Sequence, residues 1–179
     1  MNYYFPLTIP FKFNLKLPDI DLNDGQKMHF ELDNLIPIEF KKYLSDTFNL
    51  NITKSLLFQQ LPKTECNIHL DGIPGIQTRS AALNFILNSE NTYMAWYDIL
   101  KPSKTYNVYI DNLVVAHYNE DQVEEKMRVQ LTDFNLVRTD VPHKVVNNSD
   151  KIRWCLSMRF DVNKNFEEFI DIFKNFERL

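Results

Sequence analysis

The sequence predicts a mainly β domain, a sandwich or jelly roll with a helix near each end. Three observations lead there. About eight short apolar segments recur along the chain, separated by turn-forming residues. Several of them alternate apolar and polar side chains with the two-residue period of a strand. Only two stretches, one towards each end, carry the wider apolar spacing of an amphipathic helix. With 179 residues the chain suits one domain with a sizeable core and is short for two.

Taken in order, Phe11, Phe13, Leu15 and Leu17 alternate with Lys12, Asn14 and Lys16 as a half-exposed strand. Residues 21–25 read as a turn and 27–32, which include His29, as another strand. Residues 34–48 predict the first helix, with Pro37 in its first turn and Ile36, Phe40, Tyr43, Leu44 and Phe48 along one stripe. Strands are expected at 55–60 and 66–71, the second broken by Gly72-Ile73-Pro74-Gly75. Residues 79–87 form a strongly apolar central strand. Short segments follow at 92–97, 106–110 and 113–117, then an acidic surface loop at 119–125. Strands at 134–138, 143–146 and 152–160 lead to a closing helix over 165–178. Asn165, with Glu168 three residues on, caps that helix, and Phe166, Phe169, Ile170, Phe173 and Phe176 make its buried stripe.

Composition narrows the function classes. A net charge of −4 provides no general field for nucleic acid or an anionic membrane, and no basic tract is interleaved with aromatics. No apolar run approaches the length of a membrane span, and the first residues lack the pattern of a signal peptide. Two cysteines, Cys66 and Cys155, make no disulfide framework and read as free thiols in a reducing compartment. A cytoplasmic protein is expected.

Chemistry concentrates in three places. On a strand, His69 and Asp71 point to one side, because side chains two apart share a face. His143 follows Pro142 far downstream, and Arg153 lies ten residues beyond it. Two histidines and one carboxylate are the donor set of a facial-triad iron site. In the strand around Arg153, the residues Arg153, Cys155, Ser157 and Arg159 share one face, and Trp154, Leu156, Met158 and Phe160 the other. The apolar face belongs on the core or under a helix. Two arginines on an enclosed face call for a counter-charge, which an anionic ligand held by a bidentate guanidinium fork would supply. A solvent-exposed face or an aspartate partner would also satisfy them. Asn84 shares its face with Ser80 and Ala82, small neighbours that suit a pocket. Arg79, five positions before Asn84, cannot face inward with it on an uninterrupted strand and is placed at the strand mouth. Trp96 and Tyr97 suit the core better than the pocket, and His29 and His117 read as structural.

The runs around His69-Leu70-Asp71-Gly72, residues 79–87, residues 139–147 with His143, and residues 153–160 together resemble the Fe(II)- and 2-oxoglutarate-dependent dioxygenases, in flavour the prolyl and aspartyl/asparaginyl hydroxylase-like branch. The resemblance covers residues 55–161. It implies a double-stranded β-helix, a cupin-like jelly roll. It implies Fe(II) held by His69, Asp71 and His143, and 2-oxoglutarate as cosubstrate, with ascorbate as a possible reductant. Arg153 would hold the far carboxylate of 2-oxoglutarate, with Arg159 as its rival and Asn84 as a further pocket residue. Retention of the Asp71 carboxylate points to hydroxylation rather than halogenation. The substrate would be a peptide side chain or a small metabolite; the acidic balance counts against a nucleic-acid demethylase. The alternative is a jelly-roll binding or structural protein without chemistry.

Overall fold

The computed structural model describes residues 2–10, 15, 17, 28–30, 35–73, 77–108 and 114–176. The alternating segment expected at 11–17 and the turn at 21–25 lie outside the described residues, apart from positions 15 and 17, as do Pro74 and Gly75. In order, the strands are β1 (Tyr4–Leu7), β2 (Met28–Phe30), β3 (Ile52–Gln60), β4 (Thr64–Glu65), β5 (Ile68–Ile73), β6 (Gln77–Thr78) and β7 (Ala81–Leu87). They continue with β8 (Thr92–Ile99), β9 (Thr105–Val108), β10 (Val114–Tyr118), β11 (Val123–Val129), β12 (Asp133–Arg138), β13 (His143–Asn147) and β14 (Arg153–Phe160). Helix α1 (Ile38–Phe48) precedes β3 and α2 (Phe166–Phe176) closes the chain. The mainly β reading holds, with two sheets of antiparallel strands and two helices. No helix among the described residues is long and apolar enough to cross a membrane.

One sheet runs β1-β12-β7-β14-β3-β2 and the other β11-β8-β13-β5-β10-β9, with β4 on β13 and β6 on β5. Alternation in β14 settles how the first sheet is used. Trp154, Leu156 and Met158 point to the helices and join Leu57, Leu83, Phe85, Leu136, Phe40 and Phe173 in the largest core cluster. Each such side chain, fully buried, contributes about 1.5–3 kcal/mol of transfer free energy. The opposite face of β14 looks at the second sheet. There Ala82, Ile86, Val137 and Cys155 meet Met94 and Trp96 in a smaller inter-sheet cluster.

The helices follow local chemistry. Asn165 Oδ1 accepts from the Glu168 N–H at 2.9 Å while Glu168 Oε2 accepts from the Asn165 N–H at 2.8 Å, a reciprocal capping box. Helix α1 starts later than the sequence pattern suggested. Pro37 is its N-cap, with an extended ψ of 139°, so Ile36 packs in the core from outside the helix. At its end Asn49 takes the left-handed conformation at φ 54°, and the Leu50 N–H closes back onto the Leu44 carbonyl at 3.2 Å.

Two further expectations need correction. The acidic stretch 119–125 is not a loop. It holds a short 3-10 helix, Glu120–Gln122, and the start of β11, an edge strand pairing with β8. Gly72 does not end its strand either: β5 continues through it to Ile73, with Gly72 at φ 123°, a backbone state that disfavours any residue with a Cβ.

Candidate metal centre

Three antiparallel strands place three histidines in one row. His69 of β5 lies directly opposite His143 of β13 on one side and opposite His117 of β10 on the other. The His69 and His143 rings stand 4.4 Å apart, centroid to centroid, and His117 is 6.4 Å from His69. Asp71, two residues along β5, points the same way. One donor atom from each of His69, Asp71 and His143 lies within 4.8 Å of the others. The three residues singled out from the sequence therefore come together.

Backbone carbonyls orient both rings. His69 Nδ1 donates to the Asn67 carbonyl at 2.8 Å, and His143 Nδ1 donates to the Val141 carbonyl at 2.9 Å. A carbonyl can only accept, so Nδ1 carries the hydrogen in each ring, and Nε2 is the nitrogen left to ligate. Asp71 is fixed through its main chain: its N–H donates to the Thr139 carbonyl at 3.1 Å, and its carbonyl accepts from the Arg79 N–H at 3.0 Å. Its Oδ2 accepts from Arg159 Nη2 at 2.5 Å, which leaves Oδ1 for a metal.

The charges follow from this arrangement. Burial alone would raise the Asp71 carboxyl, but Arg159 and the two histidines outweigh it and hold the group below the usual range. Burial, aided by the field of His69, pushes His143 down to about 4, so its imidazole is neutral. Burial would lower His69 as well, yet the neighbouring Cys66 thiol and the Asp71 carboxylate overcome that and raise it to about 9. In the same contact Cys66 is lowered against the effect of its own burial. The Val145 N–H also donates to Cys66 Sγ, at 3.0 Å.

A cavity of about 280 Å³ opens from this cluster between the sheets. The inward face of β14 lines its floor with Arg153, Cys155, Ser157 and Arg159, as the alternation required. Arg153 is 4% exposed, and no carboxylate pairs with it among the described residues; the thiol of Cys155 lies against it. Arg159 differs, being committed to Asp71 and to the Ala81 carbonyl at 2.7 Å. Asn84 lines the same cavity with its Oδ1 buried and without a hydrogen-bond partner among the described residues. Arg79 precedes β7 rather than lying on it. Trp96 is fully buried core, its Nε1 donating to the Arg138 carbonyl at 2.9 Å, and Tyr97 points away from the cavity to Glu125. Both cysteines are free.

Sequence reasoning read His117 as structural and so missed that it lines the cavity beside His69, where its Nε2 meets Asn107 Nδ2 at 3.1 Å. The signal was the alternation of Val115 and His117, but which strand β10 pairs with is not written in that period. Thr139 was missed too; its hydroxyl bonds the Arg79 carbonyl and its own carbonyl holds Asp71.

No protein-family model matches the chain, and no curated protein matches it. Among solved structures, E. coli ycfD aligns over 67% of this chain and 28% of its own length, at 12% identity and a TM-score of 0.35. The chain thus spans well under half the length of that protein. Peruvianin-I, a cysteine peptidase from Thevetia peruviana latex, aligns over 92% of this chain and 84% of its own, at 14% identity and a TM-score of 0.39. Likenesses this distant carry no argument about what this chain does.

Proposed function

We propose that this chain is an Fe(II)- and 2-oxoglutarate-dependent dioxygenase that hydroxylates a C–H bond of a peptide side chain or small metabolite. The observation that carries the reading is the convergence of His69, Asp71 and His143 within 4.8 Å in a cavity that also encloses Arg153, which has no carboxylate partner among the described residues. Two imidazoles and one carboxylate suit non-haem Fe(II), and three donors leave open positions. Strand order supports a jelly roll beneath the site. Counted as eight successive strands, β3, β5, β7, β8, β11, β12, β13 and β14 fall sixth-third-eighth-first in one sheet and fifth-fourth-seventh-second in the other. That interleaving is what two Greek keys produce.

The donor set and the cavity fit both groups. His69 Nε2, His143 Nε2 and Asp71 Oδ1 would hold the iron, and Arg153 would fork onto the distal carboxylate of 2-oxoglutarate. Asn84, whose buried Oδ1 has no partner among the described residues, would turn its amide to a ligand polar group. Bound together with dioxygen, these groups would supply oxidative decarboxylation of 2-oxoglutarate to succinate and carbon dioxide, one oxygen atom of the dioxygen entering succinate and the other the substrate C–H bond. The chain's own contribution is positioning. The carbonyls of Asn67 and Val141 fix the ring tautomers, Arg159 holds Asp71 ionised and aimed, and the inter-sheet cluster keeps bulk water from the floor. Free Cys66 and Cys155 suit a reducing, cytoplasmic setting.

The test is succinate formation from 2-oxoglutarate by purified protein with Fe(II) and ascorbate, together with calorimetric titration of each. Turnover that disappears in His143→Ala supports the reading. Absence of both iron and 2-oxoglutarate binding ends it.

A further inference from the structure

His117 is the one imidazole of the cavity wall that the candidate ligand set leaves out. It lies directly opposite His69 in the ladder of β5 and β10, so both side chains stand on the cavity face of the sheet. Its Nε2 meets the Asn107 amide nitrogen, Nδ2, at 3.1 Å. An amide nitrogen only donates, so Nε2 accepts, the ring is neutral and its hydrogen sits on Nδ1. That Nδ1 is buried and has no hydrogen-bond partner among the described residues. In His69 and His143 the same nitrogen donates to the carbonyl of the residue two places back, Asn67 or Val141. His117 lacks that bond. A buried N–H left without an acceptor bears the cost of its lost hydration, and an acceptor entering the cavity would remove that cost.

The neighbours of His117 select the acceptor. Arg153 and Arg159, the arginines of the cavity wall, both belong to β14 in the other sheet. On the β10 side the wall offers Asn67 and Val115 beside His117, and no lysine or arginine. A single neutral donor there suits an uncharged carbonyl oxygen, whereas a carboxylate is better served by a guanidinium fork. We propose that His117 positions the substrate: its Nδ1–H, held as the donor by Asn107, takes a carbonyl oxygen of the substrate and so fixes which carbon faces the metal. Presentation to the metal rests on the function proposed above; the hydrogen bond itself does not.

The experiment uses cyclohexanone as probe and methylenecyclohexane, which has a CH₂ group in place of the carbonyl oxygen, as its counterpart. Each is titrated into the full chain without metal, with histidine labelled in its ring nitrogens so that spectra report the tautomer of each imidazole. His117 is expected as the Nδ1–H tautomer, and cyclohexanone should shift its Nδ1 signal while methylenecyclohexane does not. His117→Leu should weaken ketone binding about three- to tenfold, the worth of one neutral hydrogen bond. His117→Asn, whose amide nitrogen stands near the place of Nδ1, should recover most of it. Asn107→Leu should populate the other tautomer and weaken binding by a smaller factor. Thermal unfolding shows that each variant is folded, and the wild-type spectra alone decide between the two probes. Equal binding of both probes, an unmoved His117 signal, or ketone binding that is unchanged in His117→Leu or lost in Arg153→Met overturns the proposal. So does loss of Fe(II) binding in His117→Leu, which would make His117 a ligand. Ketone binding through His117 in a protein that takes neither Fe(II) nor 2-oxoglutarate would end the dioxygenase reading and leave this site standing; the reverse result would end only this site.

Discussion

Arg159 Nη2 donates to Asp71 Oδ2 at 2.5 Å, joining the end of β14 to the end of β5 with side chains that are only 12% and 11% exposed. This contact leaves Asp71 one carboxylate oxygen, Oδ1, to offer a metal. It also commits Arg159, so that of the two arginines on the inward face of β14 only Arg153 is without a carboxylate partner among the described residues.

Arg159→Ala should therefore damage metal binding without touching a ligand. Loss of such an outer partner typically costs ten- to a hundredfold in metal affinity. Breaking a buried pair on one side also costs about 3–5 kcal/mol of stability. Arg159→Lys keeps the charge and should recover part of the metal affinity, though not the bond to the Ala81 carbonyl. Calorimetric metal titration and urea unfolding of the two variants check this. Equal metal affinity in wild type and Arg159→Ala would show that the contact does not aim Asp71.

A metal at His69 would meet competition from Cys66. With His69 raised to about 9 chiefly by that thiol, the ring carries a proton at pH 7 that must leave before Nε2 can ligate. Two pH units below the ionisation point correspond to about a hundredfold in apparent affinity. Cys66→Ala should thus raise metal affinity at pH 7, by up to about a hundredfold, and flatten its rise between pH 7 and 9. Metal titrations across that range decide the matter, and an unchanged pH profile in the variant would remove Cys66 from the account.

His143 makes the metal-free fold acid-sensitive. Its folded-state ionisation near 4 lies below the ordinary 6.5, so between those values the unfolded chain binds the additional proton. The contribution is complete above pH 6.5, declines as pH falls and is exhausted near pH 4. Its size is on the order of 3 kcal/mol. His143→Gln should flatten the acid limb of stability against pH measured by denaturant unfolding. A limb just as steep in the variant would assign it to other groups.

What was legible in the sequence was whatever a local period encodes. The two faces of β14 were readable because one is uniformly apolar, and the Asn165–Glu168 cap because its partners are three residues apart. The candidate triad was legible as residue types at strand spacing. Contacts between distant segments were not. Nothing local ties Arg159 to Asp71, and nothing in Val115 and His117 says that β10 will pair with β5. β11 was hidden for another reason: as an edge strand it exposes every position from Glu124 to Arg128, four of them charged, so no two-residue period marks it.

Arg153 yields the sharpest test, because stability and binding should move in opposite directions. The residue is 4% exposed and without a carboxylate partner among the described residues, so the ligand-free fold bears the cost of an enclosed charge with no counter-ion among them. Arg153→Met keeps most of the volume and removes that charge. The ligand-free variant should be at least as stable as wild type and more stable by about 1 kcal/mol or more, read from the urea midpoint. The same variant should lose 2-oxoglutarate binding by at least tenfold, the worth of a charge-assisted bidentate contact, while Fe(II) affinity stays within about twofold. With wild-type protein, 2-oxoglutarate should raise the unfolding midpoint; with Arg153→Met it should not. A variant that is destabilised and still binds 2-oxoglutarate would mean that Arg153 has a structural partner and that the anion is held elsewhere.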